Sequence, residues 1–182
     1  MALVGRQGVG ALTHRSVAAE AGVALAATTY YFESREQLVA EALEHTVRLD
    51  LERLEHEAPG LAGTPLTPRT LAERLAAFVQ EWIRGDRPTL IAQYELSLAA
   101  ARRPGLAEIS RRWTEAYTRA LAPPLAALGS SDPARDAEIL LSLLDGLVLD
   151  ELAAPRRDFE SAVLRPAIER VVQGLVVLGQ PA

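Results

Sequence analysis

The stretch from Leu12 to Leu43 constrains this chain more tightly than any other. Thr13 is placed to cap a helix running to Ala21, its hydroxyl accepting an orphan amide of the first turn. Leu12, Val17 and Ala21 fall on one side of that helix, and Gly22 supplies a left-handed exit, with Val23 expected to turn inward. GVALAATTYYF (Gly22–Phe32) follows, eleven residues without a charge, in which a short helix is expected from about Ala24 to Tyr30. So short a helix does not persist alone in water, so its neighbours must hold it. Ser34 then caps a long helix to about Glu57, with Glu36 and Glu41 early and Arg48 and Arg53 later, as the helix dipole prefers. A supporting helix, a glycine turn and a short second helix are the layout of a helix-turn-helix.

The rest of the chain also reads as helix. Period-two alternation is scarce and β-branched clusters are short. Helices are expected at about 68–85, 88–103, 105–128, 133–153 and 158–178, after a first short one ending near Gln7. Pro123-Pro124 should kink the third of the later helices. Residues 58–68, APGLAGTPLTP, form the clearest break. EILLSLLDGLVLDEL (138–152) is apolar almost all round, the pattern of a helix buried on several sides. The last helix carries Val163, Ile168, Val171, Val172, Leu175 and Val176. Two such helices exceed the needs of one small core, so at least one is expected to pack on another chain. The fold class is all-α, with a helix-turn-helix head over residues 1–45 and a helical domain over 46–182.

Composition removes several function classes. Cysteine is absent, which excludes disulfides, thiol catalysis and thiolate metal sites and suits a reducing cytoplasm. His14, His45 and His56 are scattered, so no metal cluster is expected, and no cofactor. No phosphate loop, zinc-protease motif or nucleophile elbow appears, so the chain does not read as an enzyme. No apolar run reaches bilayer length and the first residues lack a signal-peptide pattern, giving a soluble, cytoplasmic expectation. The net charge is −5, and every basic residue is arginine, so arginine alone is no sign of phosphate recognition.

From Leu12 to Leu43 the order of residues resembles the TetR family of bacterial transcriptional repressors. The carriers are Leu12-Thr13, Ala18-Ala19-Glu20-Ala21-Gly22-Val23, the small-residue helix ending at Phe32, and Ser34-Arg35-Glu36-Gln37-Leu38. The resemblance implies a DNA interface. Thr13 and Arg15 would stand at the groove edge, with Arg15 able to reach a base. Leu25, Ala26 and Ala27 would face the major groove, where small apolar side chains touch thymine methyls but make no bidentate base contacts. Thr29 and Tyr30 would reach phosphates through their hydroxyls, and Arg35 stands where the family has a backbone-contacting lysine. Phe32 and Leu38 would lock the small domain, and Tyr31 has no assigned side. The family commonly has tyrosine where this chain has Thr29, and a fuller first helix with a basic arm. Met1–Arg35 holds Arg6, Arg15 and Arg35 against Glu20 and Glu33, which is thin for phosphate neutralisation. Either a segment upstream of Met1 completes the head or DNA affinity is weak.

The resemblance also implies a small-molecule effector and a homodimer through the last two helices. Effector-site candidates are polar or aromatic residues that interrupt apolar stripes: Phe78 and Trp82, Gln93 and Tyr94, Trp113 and Tyr117, and Asp145. Each aromatic pair also suits plain core. Asp145 is read as a buried carboxylate, which needs either a ligand or an internal partner. The expected function is a ligand-responsive regulator on a near-palindromic operator. The alternatives are a helical interaction module with a vestigial DNA head, and a helical enzyme for which Asp145 is the one sharp candidate.

Overall fold

The computed structural model describes residues 1–61 and 65–178, and no strand occurs among them. The helices are α1 (Ala2–Gln7), α2 (His14–Ala21), α3 (Leu25–Tyr31), α4 (Arg35–Leu61), α5 (Pro68–Gly85), α6 (Arg87–Ala100), α7 (Pro104–Ala127), α8 (Pro133–Ala153) and α9 (Arg165–Leu178). A short 3-10 turn, Val9–Ala11, links α1 to α2.

Some boundaries differ from the sequence expectation. α4 continues through Pro59 to Leu61, because one missing donor near a helix end removes one bond and the rest of the turn still closes. Ala62, Gly63 and Thr64, the middle of the expected break, lie outside the described residues. The last helix begins as a π-helical run, Phe159–Leu164, before α9. That wide turn ends two residues before Pro166, which has no amide to donate backwards. α7 carries Pro123 and Pro124 internally and runs on to Ala127.

The chain forms two compact units. The first comprises Met1–Asp50 with Gly85–Trp113; the second comprises Leu51–Arg84 with the residues from Thr114 onward. α4 and α7 each contribute to both.

In the first unit α1 packs on α6, with Leu3 and Val4 buried on one helix and Leu90, Ala92, Leu96 and Ala99 on the other. The approach depends on Gly5: a Cβ there would lie 1.9 Å from the Pro88 carbonyl oxygen. Backbone cannot yield as a flexible side chain does. Gly5→Ala is therefore expected to destabilise the protein by about 1–3 kcal/mol, read from urea unfolding midpoints. α6 starts from Asp86, whose carboxylate accepts from the Thr89 amide at 3.1 Å and the Thr89 hydroxyl at 2.5 Å. These bonds hold its carboxyl below the usual range, so the charged cap persists until pH falls beneath that range.

In the second unit α8 packs on α9 and on the π-helical run before it. Ala137, Leu140, Leu144 and Val148 of α8 are buried, as are Phe159, Leu164, Ile168 and Val172. One face of α8 is not covered, which corrects the expectation of an apolar helix buried almost all round. Ile139 is 43% and Leu149 49% exposed, beside exposed Ser142 and Gly146. No helix among the described residues is long and apolar enough to cross a membrane.

Candidate DNA interface and effector site

Thr13 caps α2 through a reciprocal pair: its hydroxyl accepts from the Ser16 amide at 3.2 Å, and the Ser16 hydroxyl accepts from the Thr13 amide at 2.9 Å. At the other end Gly22 has φ 66° and ψ 28°. The Gly22 amide bonds Ala19 O at 3.3 Å and the Val23 amide bonds Ala18 O at 3.0 Å, a Schellman closure. That closure fixes the backbone of Val23 and leaves its side chain 47% exposed, so the inward placement of Val23 is corrected. Ala18, and not the exposed Ala21, is the small residue this helix buries.

The joint between α2 and α3 is made by Thr28, which sequence reasoning left without a role. Its side chain is buried, and its hydroxyl donates to Leu25 O at 2.9 Å and lies 3.3 Å from His14 O, one turn and one helix away. The signal was present: Thr28 stands four residues before Phe32, on the face that must point inward. Phe32 itself is half-buried and lines an open apolar cleft with Leu3, Leu12, Val17 and Leu38.

Those contacts turn the remaining face of α3 outward. Leu25 and Ala26 are exposed, Ala27 is half-buried, and Thr29 and Tyr30 are exposed, Tyr30 at 82%. Tyr31 is exposed too, its ring edge-on to that of Tyr30 with centroids 5.1 Å apart. Two tyrosines bared on one short helix is a costly surface unless something binds it. The Thr29 hydroxyl donates back to Ala26 O at 3.2 Å. A phosphate accepts hydrogen bonds only, so Thr29 must release that bond to reach one. Arg15 is exposed on α2. Arg6 pairs with Glu20 at 2.6 Å, and Arg35 donates to Val9 O at 2.9 Å. Arg35 thus ties the 3-10 turn to the start of α4, and a phosphate would compete for its guanidinium.

The effector candidates fall in both units. In the first, Gln93 on α6 is buried, its Oε1 without a hydrogen-bond partner among the described residues, and Tyr94 is half-buried beside it in sequence. Trp113 on α7 donates its indole N–H to Asp50 Oδ2 at 2.7 Å. Asp50, on α4, is 3% exposed and so is a buried carboxylate, as is Glu151 on α8. Asp145 is exposed on α8, which corrects its expected burial: the inward phase runs through Leu144 and Val148, and Asp145 lies one position off it.

In the second unit Phe78, Trp82 and Tyr117 come together around Arg53, which the sequence reading did not place among the effector candidates. The Arg53 guanidinium carbon lies over the Phe78 ring at 4.6 Å from its centroid and over the Trp82 ring at 4.6 Å. Arg53 Nη2 donates to the Tyr117 hydroxyl oxygen at 3.1 Å. Phe78 and Trp82 stand one turn apart on α5, so their rings form a single aromatic wall.

The family description "Bacterial regulatory proteins, tetR family" matches residues 1–42, and "Tetracyclin repressor-like, C-terminal domain" matches residues 66–176. The chain is 31% identical over 154 residues to the HTH-type transcriptional regulator BetI of Rhizobium meliloti, covering 81% of this chain and 71% of that one. It is 25% identical over 158 residues to the nicotine-responsive transcriptional repressor HdnoR of Paenarthrobacter nicotinovorans, covering 84% and 79%. Among solved structures, the multidrug binding protein EbrR in complex with ethidium superposes with a TM-score of 0.73 at 32% identity, covering 96% of this chain and 92% of that one. With a DNA-binding head and a C-terminal domain matched in their proper order, the chain belongs to the TetR family of bacterial transcriptional regulators.

Proposed function

We propose that this protein is a homodimeric repressor that binds a near-palindromic operator and is released from it by a small-molecule effector. The observation that carries the DNA reading is the outward face of α3, where Leu25, Ala26, Thr29 and Tyr30 stand exposed while Thr28 holds the helix from behind. Leu25, Ala26 and Ala27 read methyls and shape; Thr13, Thr29, Tyr30 and Arg35 hold the backbone, and Arg15 reaches the groove edge. The head occupies residues 1–45, and residues 46–182 sense the effector and dimerise. The half-uncovered face of α8, with Ile139 and Leu149, and exposed Val177 on α9 support a dimer through the last two helices. In a two-fold dimer the two copies of α3 meet successive major-groove turns about 34–36 Å apart.

Effector contacts are proposed at Phe78, Trp82 and Tyr117 within the second unit, with Asp145 as an outlying member, and, as a separate candidate within the first unit, at Gln93, Tyr94 and Trp113. EbrR's complexes with ethidium, proflavin and malachite green make an aromatic effector the natural first candidate. The effector acts by preferring one of two positions of α4, the continuous helix that starts at Arg35 and also carries Arg53. The protein works as a cytoplasmic DNA-binding switch and catalyses no reaction. Binding to the intergenic DNA beside its own gene, measured across a salt series, tests this reading. Steep loss of affinity with salt is expected.

A further inference from the structure

We propose that Arg53 is the effector site's own occupant, a built-in guanidinium that holds the aromatic wall of Phe78 and Trp82 until a planar organic cation displaces it. The inference rests on placing the effector site at Phe78, Trp82 and Tyr117, and it adds the ligand's charge class and the residue with which the ligand competes.

The three groups that converge on Arg53 are all suited to a cation. Two ring faces present their negative quadrupoles at 4.6 Å, and the phenol oxygen of Tyr117 accepts a hydrogen bond at 3.1 Å. They arrive from α5 and α7, while the cation comes from α4. A planar, delocalised guanidinium is the smallest member of the chemical class to which ethidium and proflavin belong. A larger planar cation covers more ring area than Arg53 does. It does not bind alongside Arg53, since two like charges would then share one part-buried wall. Entry of the ligand and departure of Arg53 are therefore one event, and the observed affinity is lowered by the fraction of time Arg53 is in place. Arg53 also lies on the same continuous helix as Arg35, so displacing it acts on the element that supports the DNA-facing head. An anionic effector, which would pair with the guanidinium edge, is the less suited alternative because it would lie against electron-rich ring faces.

The test is a fluorescence titration of the full chain with ethidium, on wild type, Arg53→Met, Arg53→Lys and Trp82→Ala, each checked for folding by circular dichroism. Arg53→Met keeps the length and apolar stem and loses the charge. It is expected to tighten ethidium binding about tenfold, the size of one desolvated cation–π contact. Arg53→Lys keeps the charge without the flat stacking surface and is expected to fall between wild type and Arg53→Met; it also carries the test if Arg53→Met does not fold. Ethidium binding unchanged or weakened in both Arg53 variants would overturn the proposal, as would loss of 1-anilinonaphthalene-8-sulfonate binding in Arg53→Met with ethidium unaffected, which would make Arg53 an anion receptor. Trp82→Ala separates the two levels. If it binds ethidium as wild type does, the site is misplaced and both readings fail. If it loses ethidium while the Arg53 variants show no gain, the site stands and the displacement fails.

Discussion

Leu149→Arg is expected to turn a micromolar dimer into a monomer and to weaken operator binding at least a hundredfold. Leu149 is 49% exposed on α8, on the face that also carries Ile139, Ser142 and Gly146, so an arginine there leaves the chain's own core intact. In a two-fold interface each substitution appears twice, and both guanidinium groups would be buried without partners. An uncompensated buried charge costs roughly 3–5 kcal/mol, and 1.4 kcal/mol is a factor of ten in affinity. A monomer also engages one half-site only. Sedimentation of wild type and variant reads the first effect, and a gel-shift titration reads the second. A wild-type monomer at micromolar concentration would remove the dimer from this account.

Tyr30→Ala is expected to weaken DNA binding about fivefold to tenfold, and by the same factor on every sequence, because a phosphate contact carries no base information. Its salt slope should fall by the share of one backbone contact or less, since the lost donor is uncharged. Changes at Leu25 or Ala27 should instead alter the ranking of sites while leaving non-specific binding in place. With Tyr30 82% exposed, the variant is expected to melt at the wild-type temperature. A large drop in melting temperature would show the tyrosine to be part of the fold.

The helices were legible because their stop signals are local. Gly22, Gly85 and the Pro104-Gly105 pair act within a turn of themselves, and the observed ends fall within a few residues of the expected ones. Pro59 misled because a proline near a helix end costs only one bond. The interior was harder to read because it turns on phase. The rule that a carboxylate interrupting an apolar stripe is a buried one was sound, but it was applied to α8. On that helix a shift of one residue, from Leu144 to Asp145, crosses from inside to outside. The same rule applied to α4 picks out Asp50, which sits in the stripe Leu43, Val47, Asp50, Leu54 and is buried with them. Val23 went wrong for a related reason: the turn dictates its backbone hydrogen bond, and the side chain follows wherever that backbone points. Phe78, Trp82 and Tyr117 were named from their spacing, yet Arg53 was read only as a charge that suits the end of a helix. No local pattern shows that a cation on one helix lies against side chains from two others.

The central claim is that the exposed face of α3 grips DNA as one half of a symmetric pair. Titration of the wild-type protein onto its flanking intergenic DNA across a salt series, with a footprint at saturation, tests this most directly. The account predicts tight, salt-dependent binding and two protected half-sites related by a dyad, about one helical turn apart. Binding that is absent at low salt, or that protects a single unpaired site, would contradict it.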